Sequence, residues 1–393
     1  MKILKITLIT LAVLALAGWF LLFRSVPLKI SPETTILTEP RTEDGRWVDY
    51  RSYFILQFPK DGNTEKNSAR GMVALFGSGD ENFKPEHWKM LGLEPFDENR
   101  KPPFEIPEPL LLNEKFKSCE KNEDCLAADP EAVREFVTSV SPALDAMAEV
   151  IQNSEFYFFP IVSLKQDDFL CIVNVDIGQI NKIACAFELR ALQREKDGDQ
   201  EGVDADWLTL LKFGRQIQNN SLTIPSALTG KRVERMGAGL KDPEKWKTLE
   251  PIDREKILRR VLENDRISAA STIQYLCRTG RNEDYSKVFW SEYDFCGLLM
   301  QTKFDWNIVA KRLNETTQKL YFPNENAEPY EIPVHHLSRE FPKILSRRAR
   351  SEIMADFFVE LLISAIPPLR EIILEEVSAP ATNPAESIER PTP

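Results

Sequence analysis

The sequence predicts a mainly α protein, with a single N-terminal transmembrane helix followed by an irregular α-helical body containing helical-hairpin, tetratricopeptide-like elements. Three observations carry this reading. An uncharged run of eighteen residues covers 6–23, between Lys2/Lys5 and Arg24. Beyond it, apolar residues recur at steps of three and four along otherwise polar segments, which is the period of one helix face. Alternation with a period of two is sustained nowhere, so long strands are not expected.

The apolar run reads ITLITLAVLALAGWFLLF. As a helix it covers about 27 Å, close to the ~30 Å hydrocarbon thickness of a bilayer. Backbone groups in lipid must be satisfied internally, which a lone segment achieves only as a helix. Trp19, Phe20 and Phe23 lie near one end, where aromatic rings favour the interface. Ala15-Leu16-Ala17 fits a signal-peptide cleavage site behind the basic Lys2 and Lys5. The run continues six residues past that site, so the sequence favours an uncleaved anchor. Trp19 stands where a lipoprotein would carry its lipidated Cys, which closes that route. The expected partner of residues 6–23 is the lipid bilayer. A lone anchor before a long polar body places that body outside the cytoplasm.

The expected organisation is an anchor over 1–24, an extended linker over 25–45, an exported helical domain over 46–376 and a disordered tail over 377–393. Pro27, Pro32 and Pro40 interrupt the linker; Pro380, Pro384, Pro391 and Pro393 mark the tail. A sub-boundary in the body is expected near 165. Short helices are expected over 47–57 and from Thr64, as N-cap, to Phe76. Gly77-Ser78-Gly79-Asp80 lacks the spacing of a phosphate loop and reads as a turn. Five prolines make 95–128 irregular. Asp129, Pro130 and Glu131 then spell a helix start, with the helix running to about 152 past Pro142. The aromatic group Phe156-Tyr157-Phe158-Phe159 reads as core.

The most regular stretch is 173–219. Ile177, Ile180, Ala184, Phe187 and Ala191 share one face; Val203, Trp207, Leu210, Leu211, Gly214 and Ile217 share another. The polar turn around Gly198 between them makes an antiparallel hairpin. The Ala191 to Gly198-Asp199 spacing resembles one tetratricopeptide unit, without a 34-residue period around it. Further helices are expected over 253–263, over 267–277 after a break, over 305–321, and over 345–376 bent at Pro367-Pro368.

Composition excludes some functions. A net charge of −11 argues against nucleic-acid binding, which needs a basic surface. Hydrophobic content of 42% sustains a packed core. His87, His335 and His336 are the only histidines, and no His-Glu-x-x-His, Gly-x-Ser-x-Gly or Cys-x-x-Cys occurs. No catalytic, cofactor-binding or metal-binding residue is assigned. Acid pairs Asp167-Asp168, Asp204/Asp206 and Glu375-Glu376 read as solvated faces. Of the six cysteines, only Cys119 and Cys125 are close in sequence. They are the candidate disulfide of an exported body, contributing about 2–3 kcal/mol. Asn219-Asn220-Ser221 and Asn314-Glu315-Thr316 match the glycosylation sequon, a match that chance supplies in a chain of this length.

Several segments together resemble a group of uncharacterised, N-terminally anchored proteins of planctomycete-type bacteria. They are Ile30-Ser31-Pro32-Glu33-Thr34-Thr35, Leu37-Thr38-Glu39-Pro40, Asp44-Gly45, Val48-Asp49-Tyr50 and Glu65-Lys66-Asn67-Ser68-Ala69, followed by the aromatic group and the 177–219 hairpin. The resemblance covers about 30–220 and departs at the C-terminal end, where this chain runs into its tail. It implies an envelope location and a helical body, and no activity. The expected function is a non-catalytic scaffold or binding module with an envelope protein partner. The alternative is an envelope hydrolase using paired carboxylates in an interhelical cleft.

Overall fold

The computed structural model describes residues 26–78, 83–96, 101–110, 116, 119, 121–160, 177–240, 242–249, 251–279, 305–321, 348, 351 and 352. The expected anchor, the 345–376 helix apart from three residues, the tail, Asp167-Asp168, Glu375-Glu376, Cys171, Cys296, His335 and His336 lie outside them. The described residues are mainly helical, with isolated bridges in place of strands. Among them, no helix is long and apolar enough to cross a membrane.

In chain order the helices are α1 Tyr50–Ile55, α2 Ser68–Phe76, α3 Pro85–Met90, α4 Asn122–Ala128, α5 Pro130–Asn153, α6 Ile177–Asp197, α7 Gln200–Asn220, α8 Ile224–Met236, α9 Pro243–Lys247, α10 Arg254–Thr279 and α11 Trp306–Tyr321. Their starts follow from capping chemistry. Asp129 accepts from the Ala132 N–H and Pro130 occupies the first turn of α5, as expected. Asp199 accepts from the Gly202 N–H at the start of α7. Gly198 at φ 81 supplies the left-handed residue that lets the chain reverse between α6 and α7. The hairpin expected there is present.

Other expectations are corrected. The cap of α2 is Asn67 rather than Thr64, because Asn67 has the extended backbone and accepts from the Ala69 N–H. The break expected between 263 and 267 is absent: no Gly or Pro interrupts α10 there. The irregular 95–128 stretch holds α4, which begins after the last of its prolines. Helices α8 and α9 had no apolar period to announce them, although Thr223 and Asp242 cap each in the ordinary way.

The chain divides into two compact units, discontinuous in sequence rather than cut once near 165. The first draws its described residues from 26–53, 265–279, 305–321, 348, 351 and 352. The stretch expected as an extended linker is folded into this unit from residue 26 onward. Leu28 and Thr35 are buried, and the Tyr50 hydroxyl donates to the Thr35 carbonyl at 2.6 Å. The Lys29 N–H donates to Asn307 Oδ1 at 2.6 Å, and Asn314 Nδ2 donates to the Pro32 carbonyl at 3.0 Å. Gln274 binds Val48 twice, accepting from its N–H at 3.0 Å and donating to its carbonyl at 2.8 Å. Side-chain amides thus satisfy backbone that has no helix of its own.

The second unit draws its described residues from 54–160 and 177–264. Its core joins α2, α5, α6, α7 and α8 with the aromatic strap after α5. Tyr157, Phe158 and Phe159 are buried there, as expected. Tyr157 meets Phe213 at 5.7 Å between ring centroids, and Phe159 meets Phe83 at 5.2 Å. Asn67 fixes the strap: its Oδ1 accepts from the Phe158 N–H at 2.8 Å and its Nδ2 donates to the Phe158 carbonyl at 2.9 Å. Helix α7 is central, touching α5, α6 and α8. It crosses α8 at glycines. A Cβ on Gly214 would stand 2.4 Å from the Glu234 nitrogen, and one on Gly230 would stand 2.9 Å from the Gln218 nitrogen. Backbone therefore packs on backbone at this crossing.

Candidate functional site

From Asp206 to Ile217, α7 is buried at most positions. The exceptions are Leu208, Lys212 and Arg215, and Asn219 continues their line in the next turn. Steps of four, three and four put these side chains on one stripe. The stripe lines a cleft of ≈ 410 Å³, closed by residues from the end of α5 and its cap, including Asn153 and Ser154, and by Thr248 and Leu249 after α9. That volume lies within the range of small-molecule sites.

Two cations face this space. Lys212 Nζ donates to the Gln152 carbonyl at 2.7 Å, near the C-terminus of α5, where the helix dipole favours a positive charge. Arg215 Nε donates to Glu234 Oε1 at 3.2 Å, and its guanidinium lies 5.7 Å from the Trp246 ring centroid. Glu234 is fully buried and also pairs with Lys231 at 3.3 Å and Arg254 at 3.4 Å. Gln218 Nε2 donates to it at 3.1 Å. Burial alone would push the Glu234 carboxyl up; Lys231, Gln218, Arg254 and Arg215 outweigh it and hold the group below its ordinary value. Burial pulls the Lys231 ammonium down, with Glu234 opposing. Behind the cleft wall, three basic groups therefore converge on one carboxylate.

A second buried ion cluster is balanced and has a structural role. Arg190 forks onto Asp206, at 3.1 and 2.6 Å, and reaches Asp145 at 2.6 Å. Arg194 also donates to Asp206, at 2.8 Å. This cluster ties α5, α6 and α7 together. It also corrects the expected solvated face at Asp204/Asp206: Asp206 is buried and committed to the two arginines, while Asp204 pairs with Lys245 at 3.2 Å. Glu155 is the single carboxylate among the cleft-lining residues described, and it is paired with Lys66 at 2.9 Å. The described cleft holds no pair of carboxylates for glycoside chemistry. Among the described residues there is also no group of His, Cys, Asp and Glu arranged to hold a metal.

Cys119 and Cys125, the residues of the expected disulfide, stand side by side here as thiols. Both belong to a small apolar cluster with Phe116, Val133, Val137 and Leu189, which gives Cys125 a packing role. Burial, and then the adjacent Cys119 sulfur, push the Cys125 thiol up to about 12. Cys125 is therefore expected to resist iodoacetamide at about pH 8 in the native chain and to react once urea unfolds it. Peptide mass spectrometry checks this. Rapid native labelling would contradict the burial, and failure to label after unfolding without reductant would reveal a disulfide.

Beside this cluster, Asn122 Nδ2 donates to Glu188. Burial nevertheless pushes the Glu188 carboxyl up, against the Asn122 bond that lowers it. A raised carboxyl contributes stability that is complete below its unfolded value and lost as pH rises through the folded value. Near neutral pH the charged form is the disfavoured one. Glu188→Gln is therefore expected to raise the urea midpoint at about pH 7 and to change it little at about pH 3.5. An unchanged midpoint at neutral pH would refute the burial effect.

Sequence reasoning did not single out Lys212, Arg215, Lys231 or Glu234. The signal available was the break in the apolar pattern of α7, where Lys212 and Arg215 fall between core positions. No known family model matches this chain, and no curated protein or solved structure shows significant similarity to it.

Proposed function

We propose that this chain is a membrane-anchored envelope protein whose helical body is a non-catalytic binding module, with the α7 cleft as its binding site. The observation that carries the reading is the cleft of ≈ 410 Å³ lined by ordered polar groups and a single, ion-paired carboxylate. Such a cavity suits recognition of a small polar molecule or a polar group on an envelope partner. The apolar run at 6–23 supports the anchorage, and the resemblance over 30–220 supports the envelope location.

The test uses the full chain in neutral detergent micelles, followed by thermal melting against fragments of envelope polymers and small polar ligands. Leu208→Trp, which fills the cleft, is the comparison. A ligand that raises the melting temperature of the native chain and not of Leu208→Trp is the expected result. Equal shifts in both chains, or none in either, would remove the reading. Placement is tested separately by alkaline phosphatase fused after Pro393, which is expected to be active.

A further inference from the structure

We propose that Cys119 and Cys125 form a reversible dithiol–disulfide pair, oxidised by exchange with a disulfide-bearing reagent that Cys119 meets first. The inference is independent of the α7 cleft and adds a modification site to the helical body.

The pair is built from two fixed stretches of backbone. The Cys119 N–H donates to the Phe116 carbonyl at 2.9 Å, and Phe116 is buried. Cys125 lies within α4, where its N–H donates to the Lys121 carbonyl at 3.4 Å and its carbonyl accepts from the Asp129 N–H at 3.0 Å. These anchors bring the two sulfurs into hydrogen-bond contact. Val133 and Val137 of α5 and Leu189 of α6 belong to the same apolar cluster. Thiols held in contact by the fold react with each other as one molecule, without the cost of an encounter.

The two thiols differ in access, and that sets the order of reaction. Cys119 is half-buried, whereas Cys125 is fully buried. Exchange starts at the thiol that the oxidant can reach. As a thiolate, Cys119 attacks one sulfur of the reagent's disulfide. That S–S bond breaks, and the departing thiolate takes up a proton equivalent to the one Cys119 lost. Cys125 then loses its proton and attacks the Cys119 sulfur. The mixed disulfide breaks, and the second reagent thiol leaves protonated. Two protein thiols are oxidised to one disulfide, and one reagent disulfide is reduced to two thiols. Burial raises the Cys125 thiol, so its attack is the slower step. The product crosslinks the chain entering α4 to α4 itself. This helix has seven residues and packs on α5 and α6, with Asn122 donating to Glu188. So short a helix is marginal by itself, and the crosslink limits the freedom of its unfolded form.

The experiment treats the full, reduced chain in neutral detergent with glutathione disulfide at about pH 8, where thiol exchange proceeds. Samples taken over time are quenched with acid, then unfolded and alkylated, and mapped with trypsin without reductant. Cleavage after Lys121 separates the cysteines, so their disulfide joins peptide 118–121 to peptide 122–134. Glutathione on Cys119 is expected first, followed by the linked peptides, which dithiothreitol then separates. The urea midpoint should be higher for the oxidised chain than for the reduced one. Cys125→Ala should leave glutathione stably on Cys119, because the attacking thiol is gone. Cys119→Ser should leave Cys125 unmodified in the folded chain. The time course on the unaltered chain stands even if a variant fails to fold. Two thiols still free to alkylate after treatment, linkage of either to Cys185, linkage formed only in urea, or glutathione reaching Cys125 before Cys119 would each overturn the proposal. None of these outcomes bears on ligand binding at the cleft.

Discussion

Glu234→Leu is expected to lower stability by about 3–5 kcal/mol, because it leaves buried cations without their shared counter-charge. Lys231 is 1% exposed and Glu234 0% exposed, so water does not screen what the substitution uncovers. Arg215 and Arg254 lose the same partner. The double variant Glu234→Leu/Lys231→Met should recover a large part of the loss, since it removes the most deeply buried of these cations along with the acid. Urea denaturation followed by circular dichroism measures both. A single variant within about 1 kcal/mol of the native chain would mean that the cluster is not buried in solution.

The same residue predicts a pH response. A carboxyl held below its unfolded value contributes stability that is present above that value, about 4.3, and lost as pH falls through the folded one. The native urea midpoint should therefore decline on acidification below about pH 4, and Glu234→Gln should decline less steeply. An identical slope in the two chains would argue that Glu234 is not held low.

Gly214→Val is expected to be equally disruptive, at about 3 kcal/mol or more. The added Cβ would meet the Glu234 nitrogen at 2.4 Å and the Gly230 carbonyl oxygen at 2.7 Å. These are backbone atoms of a packed helix, so no side chain can rotate away. Relief requires α7 and α8 to separate, and separation also stretches the Arg215–Glu234 and Gln218–Glu234 bonds. Gly178→Ala is the control: it also lies in a helix, but its Cβ would meet nothing within 4 Å. It should be neutral or mildly stabilising. Equal midpoints for Gly214→Val and the native chain would mean that the helices do not cross there.

Much of the helical framework was legible because it rests on local chemistry. Asp129-Pro130 starts its helix through a side-chain bond to a residue three positions on, a range that sequence displays directly. The α6–α7 hairpin was readable from two apolar stripes and one Gly-containing turn. Burial of Tyr157, Phe158 and Phe159 followed from their size and apolarity alone.

Helix α8 was not legible for a specific reason. Gly230, Lys231 and Glu234 are among its buried residues. A glycine that admits a neighbouring backbone and an ion pair that is satisfied internally both look like solvent-facing positions in a sequence. Only the crossing with α7 turns them into core. The cleft shares this origin: Lys212 and Arg215 read as polar breaks in a core helix until Gln152 and Glu234 are brought to them. The 25–45 stretch read as a linker because the partners of Lys29 and Pro32, Asn307 and Asn314, lie about 280 positions away. The sequence by itself determined the helical class, the Asp129 cap, the hairpin and an apolar run long enough for a bilayer. Tertiary structure alone decided which charges are buried, which glycines are crossings and where a cleft opens, because each depends on groups that only long-range packing brings together.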